Sequence, residues 1–390
     1  MPADGATLLE SVTLRSRHAQ RYRVLMTGDT VGGVWQYSLE LSRALIERGH
    51  QVLLATMGGL PSPQQRAEAA AVKGLQFVPS PFKLLWMPDA WRDVGAAAEW
   101  LMGIAARWRP GIVHLNDFGH GHLPWGAPVL TVGHSCVLSW WQAVHGAPAP
   151  LQWARYKRRV TATLTASNLV VAPTHAMLAS LERHYGPLRN SRVIFNGSGR
   201  QASGSATKTR MTFACGRVWD AGKNIKTLAA AAADLPWPVC VAGPEQGPDG
   251  ERINFQNVCM LGALDSARVL RWFARASIYA LPARYEPFGL SILEAARARC
   301  ALVLGDLPSL RELWNGAALF VDPDDDKQLA RVLRALISDD KLRARYAMRA
   351  QQRAQCYTSA AMGAAYAHAY AELDMQSRGF GQGRALGGAR

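Results

Sequence analysis

The sequence lacks any apolar segment long enough to cross a membrane. A spanning helix needs about 18 or more consecutive apolar residues, and no such run occurs among the 390 residues. The first 20 residues also lack the apolar core and small-residue cleavage site of a secretory signal, and they contain the polar run LRSRHAQRYR instead. These absences predict a cytoplasmic protein.

Paired cysteines are missing as well. Six cysteines are scattered without a CxxC pair, and several lie in apolar segments such as PVCVAG and RCALVLGD. This distribution indicates reduced thiols packed in cores, in place of a disulfide framework or a cysteine-bound metal. We therefore expect no metal site built from cysteines.

Acidic residues are scarce relative to basic ones. The 44 Lys and Arg outnumber the 29 Asp and Glu, which gives a formal net charge of +15. Such an excess favours acidic partners, namely nucleotide phosphates, anionic lipid headgroups or nucleic acid, although solubility alone also accounts for a basic surface. No recognisable nucleic-acid-binding module accompanies the charge. We therefore expect no nucleic-acid partner.

Short apolar strands alternate with amphipathic helices through almost the whole chain, which is the pattern of parallel α/β sheets. At about 150 residues per domain, the length predicts two domains. The best linker is GSGRQASGSATKTR, which is rich in Gly, Ser and Thr. The predicted boundaries are an N-terminal Rossmann-like domain over 1–198, a linker over 199–210, a C-terminal Rossmann-like domain over 211–356, a last helix over 358–374 and a disordered tail over 375–390.

Polar and glycine residues follow the strand candidates in both halves of the chain. Ligands of doubly wound sheets bind at the carboxyl ends of the strands, so we expect these positions to converge on one cleft. They are Gly28, Asp29, Gly32, Gly33, Asn116, Asp117 and His134 in the first half, and Gly216, Arg217, Lys223, Gly243 and Glu286 in the second.

The segment TGDTVGGVWQYS places Gly32 and Gly33 between a strand and a helix. Glycine lets the backbone approach a ligand closely, and a helix N-terminus favours negative charge. The spacing differs from the GxGxxG of dinucleotide sites. The alternative is a tight strand-to-helix turn without a ligand.

The segment ACGRVWDAGKN places Arg217 and Lys223 just beyond another strand. A guanidinium can bind two phosphate oxygens side by side, and an ammonium adds a point charge. Together they would neutralise a departing diphosphate. The alternative is a solvated basic loop.

In YEPFGLSILEAA, Pro287 and Gly289 bend the chain, so that Glu286 lies in a loop and Glu294 about one turn into a helix. Both carboxylates can then face one ligand, together with the backbone N–H groups of residues 288–290. Carboxylates accept hydrogen bonds from sugar hydroxyls. The alternative is a turn acid plus a surface glutamate that pairs with Arg297 at i+3.

Weaker signals remain. The segment VGHS places His134 at a strand end, where a single histidine is more often structural. DPDDDKQL resembles a D-x-D metal motif at Asp322 and Asp324, but it favours an acidic start of the helix KQLARVLRALI. Two Trp-rich segments, KLLWMPDAWRDV and LSWWQAVHGAP, and the basic run RYKRRV are compatible with sugar, membrane or phosphate contacts, and also with core packing and a solvated face.

As a set, the glycine loop, VGHS, GRVWDAGKN and above all EPFGLSILEA resemble the family 4 retaining glycosyltransferases of GT-B fold. The resemblance extends from about residue 22 to 374. It implies two Rossmann-like domains that face a deep cleft, with the last helix crossing back to the first domain. One departure is that six positions separate Arg217 from Lys223, whereas many members have five, which indicates a longer loop.

The resemblance also implies roles for residues. Arg217 and Lys223 would hold the diphosphate of a nucleotide-sugar donor, Gly32 and Gly33 would approach it from the first domain, and His134 would lie near the sugar. Glu286 would contact sugar hydroxyls with the backbone of Phe288, Gly289 and Leu290, and Glu294 would bind the ribose. A front-face reaction without a metal or other cofactor is implied, since no side-chain nucleophile is obvious.

Neither the donor base, the sugar nor the acceptor is named by the sequence. The Trp-rich segments and the basic surface permit a polysaccharide or lipid-linked acceptor and peripheral contact with an anionic membrane. Competing hypotheses are a sugar-nucleotide epimerase, a phosphorylase with a lysine-bound pyridoxal phosphate, and a sugar-nucleotide-binding protein without catalysis.

Overall fold

Two parallel α/β domains make up the structure, a computed structural model. It describes residues 20–200, 207–247, 250 and 252–385, with side chains as far as residue 378. Each domain has one sheet whose strands are all parallel, with a core that also includes the helices around it. The predicted fold class, two doubly wound α/β domains, is confirmed.

Seven strands form the first sheet. They are β1 (Arg23–Asp29), β2 (Gln51–Met57), β3 (Gln76–Pro79), β4 (Ile112–Leu115), β5 (Val129–Val132), β6 (Leu169–Ala172) and β7 (Ser191–Val193). Their order across the sheet is β3-β2-β1-β4-β5-β6-β7. The order reverses between β1 and β4, because β2 and β3 lie on one side of β1 and β4 to β7 lie on the other.

Side-chain alternation gives the first sheet two buried faces. Val24 and Met26 of β1 belong to one core cluster, whereas Leu25 between them belongs to another. Successive residues of a strand point to opposite faces, so a strand covered on both sides must be apolar throughout. The run from Val24 to Met26 meets that requirement, with no solvent-exposed area.

Six helices connect these strands. They are α1 (Gly33–Ile46), α2 (Pro63–Ala70), α3 (Trp91–Trp108), α4 (Val137–His145), α5 (Ala154–Ala166) and α6 (His175–Tyr185), with a 3-10 turn at Leu151–Trp153. Local signals explain where several begin. Ser62 and Gln65 form a capping box at α2, and the Thr174 hydroxyl accepts from the Met177 N–H at α6; such caps satisfy backbone donors that a helix leaves unpaired.

The second sheet has six strands. They are β8 (Thr209–Cys215), β9 (Val239–Ala242), β10 (Cys259–Met260), β11 (Ala276–Leu281), β12 (Ala301–Gly305) and β13 (Ala318–Val321), in the order β10-β9-β8-β11-β12-β13. The helices around it are α7 (Ile225–Ala232), α8 (Ser266–Arg275), α9 (Leu290–Arg297), α10 (Pro308–Trp314), α11 (Asp326–Ser338) and α12 (Asp340–Ala354). Its order reverses between β8 and β11.

The last helix, α13 (Ser359–Ala385), returns to the first domain. Its buried residues Met362, Tyr366, Tyr370 and Leu373 recur every three or four positions and belong to the first domain's core. This spacing places them on one face of a helix. Where the chain crosses between domains, a Cβ on Gly197 would meet the Thr358 carbonyl oxygen at 2.1 Å, so the two crossing segments lie against each other.

Two of the predicted boundaries differ from the structure. β8 begins at Thr209, inside the predicted linker 199–210, and residues 201–206 of that linker lie outside the described residues. Residues 375–385 continue α13, where the sequence predicts a disordered tail. The Arg378 guanidinium pairs with the Asp374 carboxylate at 3.1 Å one turn away, which favours this continuation. Residues 386–390 lie outside the described residues.

In the described part of the chain, no helix combines the length and the apolar character needed to cross a membrane.

Close packing of α13 on α1 is testable with two glycine substitutions. A Cβ on Gly363 would lie 2.7 Å from the Ala44 Cβ, whereas a Cβ on Gly95 in α3 would meet nothing within 4 Å. Gly363→Ala should therefore destabilise the protein by about 1–3 kcal/mol through overpacking, and Gly95→Ala should stabilise it by roughly 0.5–1 kcal/mol. Urea unfolding and hydrogen exchange of the α13 amides measure both. Equal stability of the two variants would contradict this packing.

Candidate functional site

The points where the two sheets reverse their strand order face each other. In the first sheet the loops after β1 and β4 lie there, and in the second the loops after β8 and β11. Open α/β sheets bind ligands outside the carboxyl ends of the strands at such reversals. Most of the predicted residues lie on these loops or on the loop after β5, the strand beside β4. The exceptions include Glu294, which lies within α9, and Gly243, which follows β9.

The glycine loop of the first domain lies directly opposite the second domain. Gly32 has φ 97°, a left-handed conformation that favours glycine. A Cβ on Gly32 would lie 3.1 Å from Arg217 Nη1, and one on Gly33 would lie 3.8 Å from Leu290 Cδ1. The loop therefore brings the backbone at the start of α1 close to Arg217 and to the start of α9.

Asp29, the last residue of β1 and the residue before the glycine loop, has an unusual pKa. Its Oδ1 accepts from the Val31 N–H at 2.9 Å. Burial raises the pKa of Asp29 to about 7, against the effects of that hydrogen bond and of the Arg217 charge. Near neutral pH this carboxyl is therefore partly protonated, and it places less than a full negative charge beside the glycines.

Asp220 holds the Arg217 side chain in place. Arg217 Nη2 lies 2.7 Å from Asp220 Oδ2. The other oxygen, Oδ1, accepts from Trp140 Nε1 at 2.8 Å and from the Gly222 N–H at 2.9 Å. Burial raises the pKa of Asp220, but the charges of Arg217 and Lys223 outweigh it, so this pKa lies below its usual value. Arg217 Nε has no hydrogen-bond partner among the described residues.

Lys223 and Glu286 contact each other directly. Lys223 Nζ lies 2.5 Å from Glu286 Oε2, and Glu286 is buried. The Lys223 stem packs against Gly216, where a Cβ would meet its Cγ at 3.4 Å. The longer loop between Arg217 and Lys223 therefore still delivers the ammonium to the Glu286 loop.

The bend after Glu286 requires glycine at 289. Gly289 has φ 83°, and a Cβ there would meet Ile292 Cδ1 at 2.5 Å. The loop is anchored on both sides: the Ser309 hydroxyl donates to the Glu286 carbonyl at 2.6 Å, and the Thr174 hydroxyl of the first domain donates to the Pro287 carbonyl at 3.0 Å. The bend ends at the N-terminus of α9.

The Phe288 side chain is buried, whereas its backbone belongs to the loop that leads into α9. The ring is buried and packs edge-on against Tyr357 at 5.8 Å between centroids. Its side chain is therefore part of the second domain's core. Any contribution of Phe288 to a ligand must come from its backbone.

Glu294 pairs with a residue that the sequence prediction missed. Glu294 is buried, and its Oε1 lies 2.7 Å from Arg200 Nη1. Burial raises the pKa of Glu294, and the Arg200 charge opposes this. The alternative pairing with Arg297 is wrong, because Arg297 Nε and Nη1 find no partner among the described residues. Arg200 stands in a Gly/Ser-rich segment, where the sequence gives no signal for it.

His134 is partly enclosed behind the first domain's loops. Its Nε2 lies 2.9 Å from Asn116 Oδ1, and its ring packs edge-on against Tyr37 at 4.4 Å. Burial lowers the pKa of His134 well below its usual value, so the imidazole is neutral at pH 7. A neutral imidazole has one donor and one acceptor nitrogen.

Tyr285 ties the two halves of the site together. Its hydroxyl lies 2.7 Å from Ser139 Oγ and accepts from the Cys136 N–H at 3.1 Å. The loop that follows His134 is thereby fixed to the residue before Glu286. The sequence carries no signal for this role of Tyr285, because the contact depends on a partner in the other domain.

The D-x-D segment is engaged in the way the helix-start interpretation expects. The Asp325 side chain caps α11 by accepting from the Gln328 N–H, and the Asp324 carboxylate pairs with Arg284. Asp322 Oδ1 accepts from the Asp324 N–H at 2.9 Å.

Comparison with known proteins identifies the family. Residues 31–198 match the sequence profile described as Glycosyltransferase Family 4, and residues 198–353 match Glycosyl transferases group 1. The glycogen synthase of Mycobacterium tuberculosis is 25% identical over 364 residues, which cover 83% of this chain and 86% of that protein.

Solved structures show the same fold. Sucrose-phosphate synthase from Thermosynechococcus elongatus superposes with a TM-score of 0.75 at 18% identity, over 90% of this chain and 99% of that one. Anabaena HepE in complex with UDP-glucose superposes with a TM-score of 0.71 at 16% identity, over 90% and 100%. The chain therefore belongs to the group 1 glycosyltransferases of GT-B fold, with an N-terminal domain of glycosyltransferase family 4, and it is a glycosyltransferase.

Proposed function

We propose that the protein transfers a hexose from a nucleoside-diphosphate sugar to a hydroxyl of a glycan or lipid-linked acceptor, with retention of configuration and without a metal ion. The observation that carries this proposal is the Lys223–Glu286 pair, which lies beside Arg217 at the second domain's strand reversal and across from the first domain's glycines. The protein would work at the cytoplasmic face of the membrane, in the synthesis of a polysaccharide or a cell-envelope glycan.

The cations suit a diphosphate leaving group. Asp220 holds Arg217 through Nη2, and the Nε donor has no partner among the described residues. Gly32 and Gly33 allow a phosphate to approach the N-terminus of α1, where backbone N–H groups and the helix dipole favour an anion. Fixed positive charges at this place stabilise the negative charge that grows on the diphosphate as the bond to the sugar breaks.

The carboxylates suit the hydroxyl groups of the donor. Glu286 uses Oε2 for Lys223, which leaves Oε1 to accept from hydroxyls of the transferred sugar. Glu294 uses Oε1 for Arg200, which leaves Oε2 for the ribose. Each carboxylate is held by a cation, so its position and its charge are set before the donor binds.

A front-face reaction agrees with this set of charges. Glu286 is salt-bridged and buried, which makes it a weak nucleophile, and His134 is neutral. The acceptor oxygen would attack the anomeric carbon on the side from which the diphosphate leaves. A phosphate oxygen would take the acceptor's proton as the carbon–oxygen bond to the diphosphate breaks.

A basic surface of the first domain suits an acceptor at an anionic membrane. Leu151 in the 3-10 turn is 90% exposed. The following helix, α5, carries Arg155, Lys157, Arg158 and Arg159 without an acidic residue. Among the described residues no carboxylate pairs with these four side chains, although Arg159 donates to the Gly119 carbonyl and Arg155 lies over the Trp91 ring. An exposed apolar side chain beside such positive charge is the composition that binds anionic headgroups. This surface follows α4, and α4 follows the loop of His134.

Binding of the donor diphosphate is tested by a thermal-shift panel of UDP-, GDP-, ADP- and dTDP-sugars. At about a hundred times its dissociation constant, the correct donor should stabilise the protein by roughly 2.7 kcal/mol. Arg217→Ala should lose this shift, and Arg268→Ala, on the exposed face of α8 in the same domain, should keep it. A panel in which no donor shifts the wild-type protein would contradict the proposal.

The role of Glu286 is tested by transfer assays with Glu286→Gln. The amide keeps the size of the side chain but removes the charge that pairs with Lys223, so we expect kcat to fall by roughly 10²–10³-fold. Glu99→Gln, on the exposed surface of α3, should leave kcat unchanged. Product NMR should show a retained anomer, and EDTA should not reduce the rate. An inverted product, a requirement for metal or full activity of Glu286→Gln would each refute part of the mechanism.

Membrane contact is tested by cosedimentation with anionic and neutral liposomes. Since a basic residue near an anionic surface contributes about 1 kcal/mol, the triple variant Leu151→Ser, Lys157→Gln, Arg158→Gln should bind anionic liposomes at least tenfold more weakly. The matched triple on α12 of the second domain, Met348→Ser, Lys341→Gln, Arg345→Gln, removes the same kinds of exposed side chain. Equal losses in both variants, or no preference of the wild type for anionic lipid, would overturn this assignment.

A further inference from the structure

His134 is the end of a chain of hydrogen bonds that begins on α13. The Tyr370 hydroxyl lies 2.7 Å from His114 Nδ1. On the other side of that ring, His114 Nε2 lies 3.2 Å from Asn116 Oδ1, and the same oxygen lies 2.9 Å from His134 Nε2. The crossing helix is thus connected to the first domain's side of the cleft through polar groups.

The orientation of the Asn116 amide is fixed by its backbone surroundings. Its Nδ2 donates to the Thr27 carbonyl at 2.7 Å, and its own N–H donates to Thr27 Oγ1 at 2.9 Å. The amide nitrogen must face the carbonyl, because two oxygens would repel each other there. The amide oxygen therefore faces both imidazoles.

This geometry determines which ring nitrogens carry protons. An amide oxygen only accepts hydrogen bonds, so the Nε2 atoms of His134 and His114 must both donate to it. Burial lowers the pKa of both histidines, so each ring carries a single proton. It follows that His114 Nδ1 accepts from Tyr370, and that His134 Nδ1 is an acceptor.

We propose that Asn116, His114 and Tyr370 are positioning residues that hold His134 with its proton on Nε2, so that Nδ1 presents a lone pair to a hydroxyl of the transferred sugar. The sugar contact rests on the proposed function; the hydrogen-bond chain rests on geometry alone. With the proton on Nδ1 instead, the ring could not donate to Asn116 and would offer the sugar a donor where an acceptor is needed.

The surroundings leave few other groups to set this proton. Tyr37 of α1 packs against both rings, and its hydroxyl lies 3.3 Å from His114 Nε2. Tyr366 of α13 packs on His114 at 5.0 Å between centroids. Burial raises the pKa of both tyrosines, so they stay uncharged. The salt bridges in the described residues place no carboxylate on either His114 or His134.

Nitrogen-15 NMR of histidine-labelled protein tests the chain without substrate. Spectra at pH 7, assigned with His114→Gln and His134→Gln, should show both rings protonated on Nε2. Tyr370→Phe removes the donor to His114 and should shift the His114 and His134 signals. Tyr22→Phe is the matched control, because the buried Tyr22 hydroxyl has no hydrogen-bond partner among the described residues. A wild-type His134 protonated on Nδ1, or equal spectra for the two tyrosine variants, overturns the proposal.

Kinetics test the consequence for the sugar. Asn116→Asp places a carboxylate on both imidazoles, with its second oxygen against the Thr27 carbonyl. The charge should raise the pKa of His134, so that the ring is protonated at neutral pH and regains its lone pair as the pH rises. The ratio of variant to wild-type kcat should therefore increase at least tenfold between pH 6 and 9. Tyr370→Phe should lower kcat by about tenfold with a pH-independent ratio. Tyr370→Phe leaves the Thr27 contact intact and carries the test if urea unfolding shows that Asn116→Asp does not fold. A constant ratio for Asn116→Asp overturns the sugar role.

Different results refute the Nε2 protonation of His134 and its contact with the sugar. If the spectra show the Nε2 protons and no donor of the panel binds, the sugar role of His134 falls together with the proposed function. If donors bind and sugar is transferred while the spectra show an Nδ1 proton, the proposed function stands and the hydrogen-bond chain is refuted.

Discussion

The burial of α13 against the first domain is the interaction on which the rest of the site depends. Tyr366 and Tyr370 have no exposed area in the first domain's core, although the chain reaches them only after completing the second domain. This burial holds the two strand reversals across one cleft, because the crossing segments at Gly197 and Thr358 leave no space between them. Hydrophobic burial of this kind stabilises by about 1.5–3 kcal/mol for each large side chain.

The charges of the site are arranged as local pairs. Arg217 with Asp220, Lys223 with Glu286, and Arg200 with Glu294 each place a cation within 2.7 Å of a carboxylate, and all three carboxylates are buried. An isolated buried charge would cost several kcal/mol, so pairing is what allows so many ionised groups in one cleft. The pairs also explain how the proposed diphosphate site can remain stable without its ligand, because each buried carboxylate keeps a cation beside it when the cleft is empty.

Much of the fold and part of the site could be predicted from the sequence. Apolar runs such as VLM in β1 fix buried strands, and residues that follow strands, such as Arg217 and Glu286, must lie at the ligand-binding edge of a parallel sheet. The partners of these residues could not be predicted. Arg200 meets Glu294 across 94 positions and Tyr285 meets Ser139 across 146, and periodicity carries no information on which side chains meet at such distances. The prediction of a disordered tail was wrong over residues 375–385. It rested on the glycine-rich composition of this segment and gave too little weight to the helix that precedes it.

The first domain's side of the cleft is not complete within residues 20–198. His114 and Asn116 lie on the first sheet, but the donor that accounts for the His114 tautomer is Tyr370, on a helix that the sequence places last. The same helix face covers Tyr37, which packs on His134. A first domain cut at residue 198 would therefore expose its core and lose the group that orients its histidines. A helix that follows the second domain in the sequence therefore completes the first domain's side of the cleft.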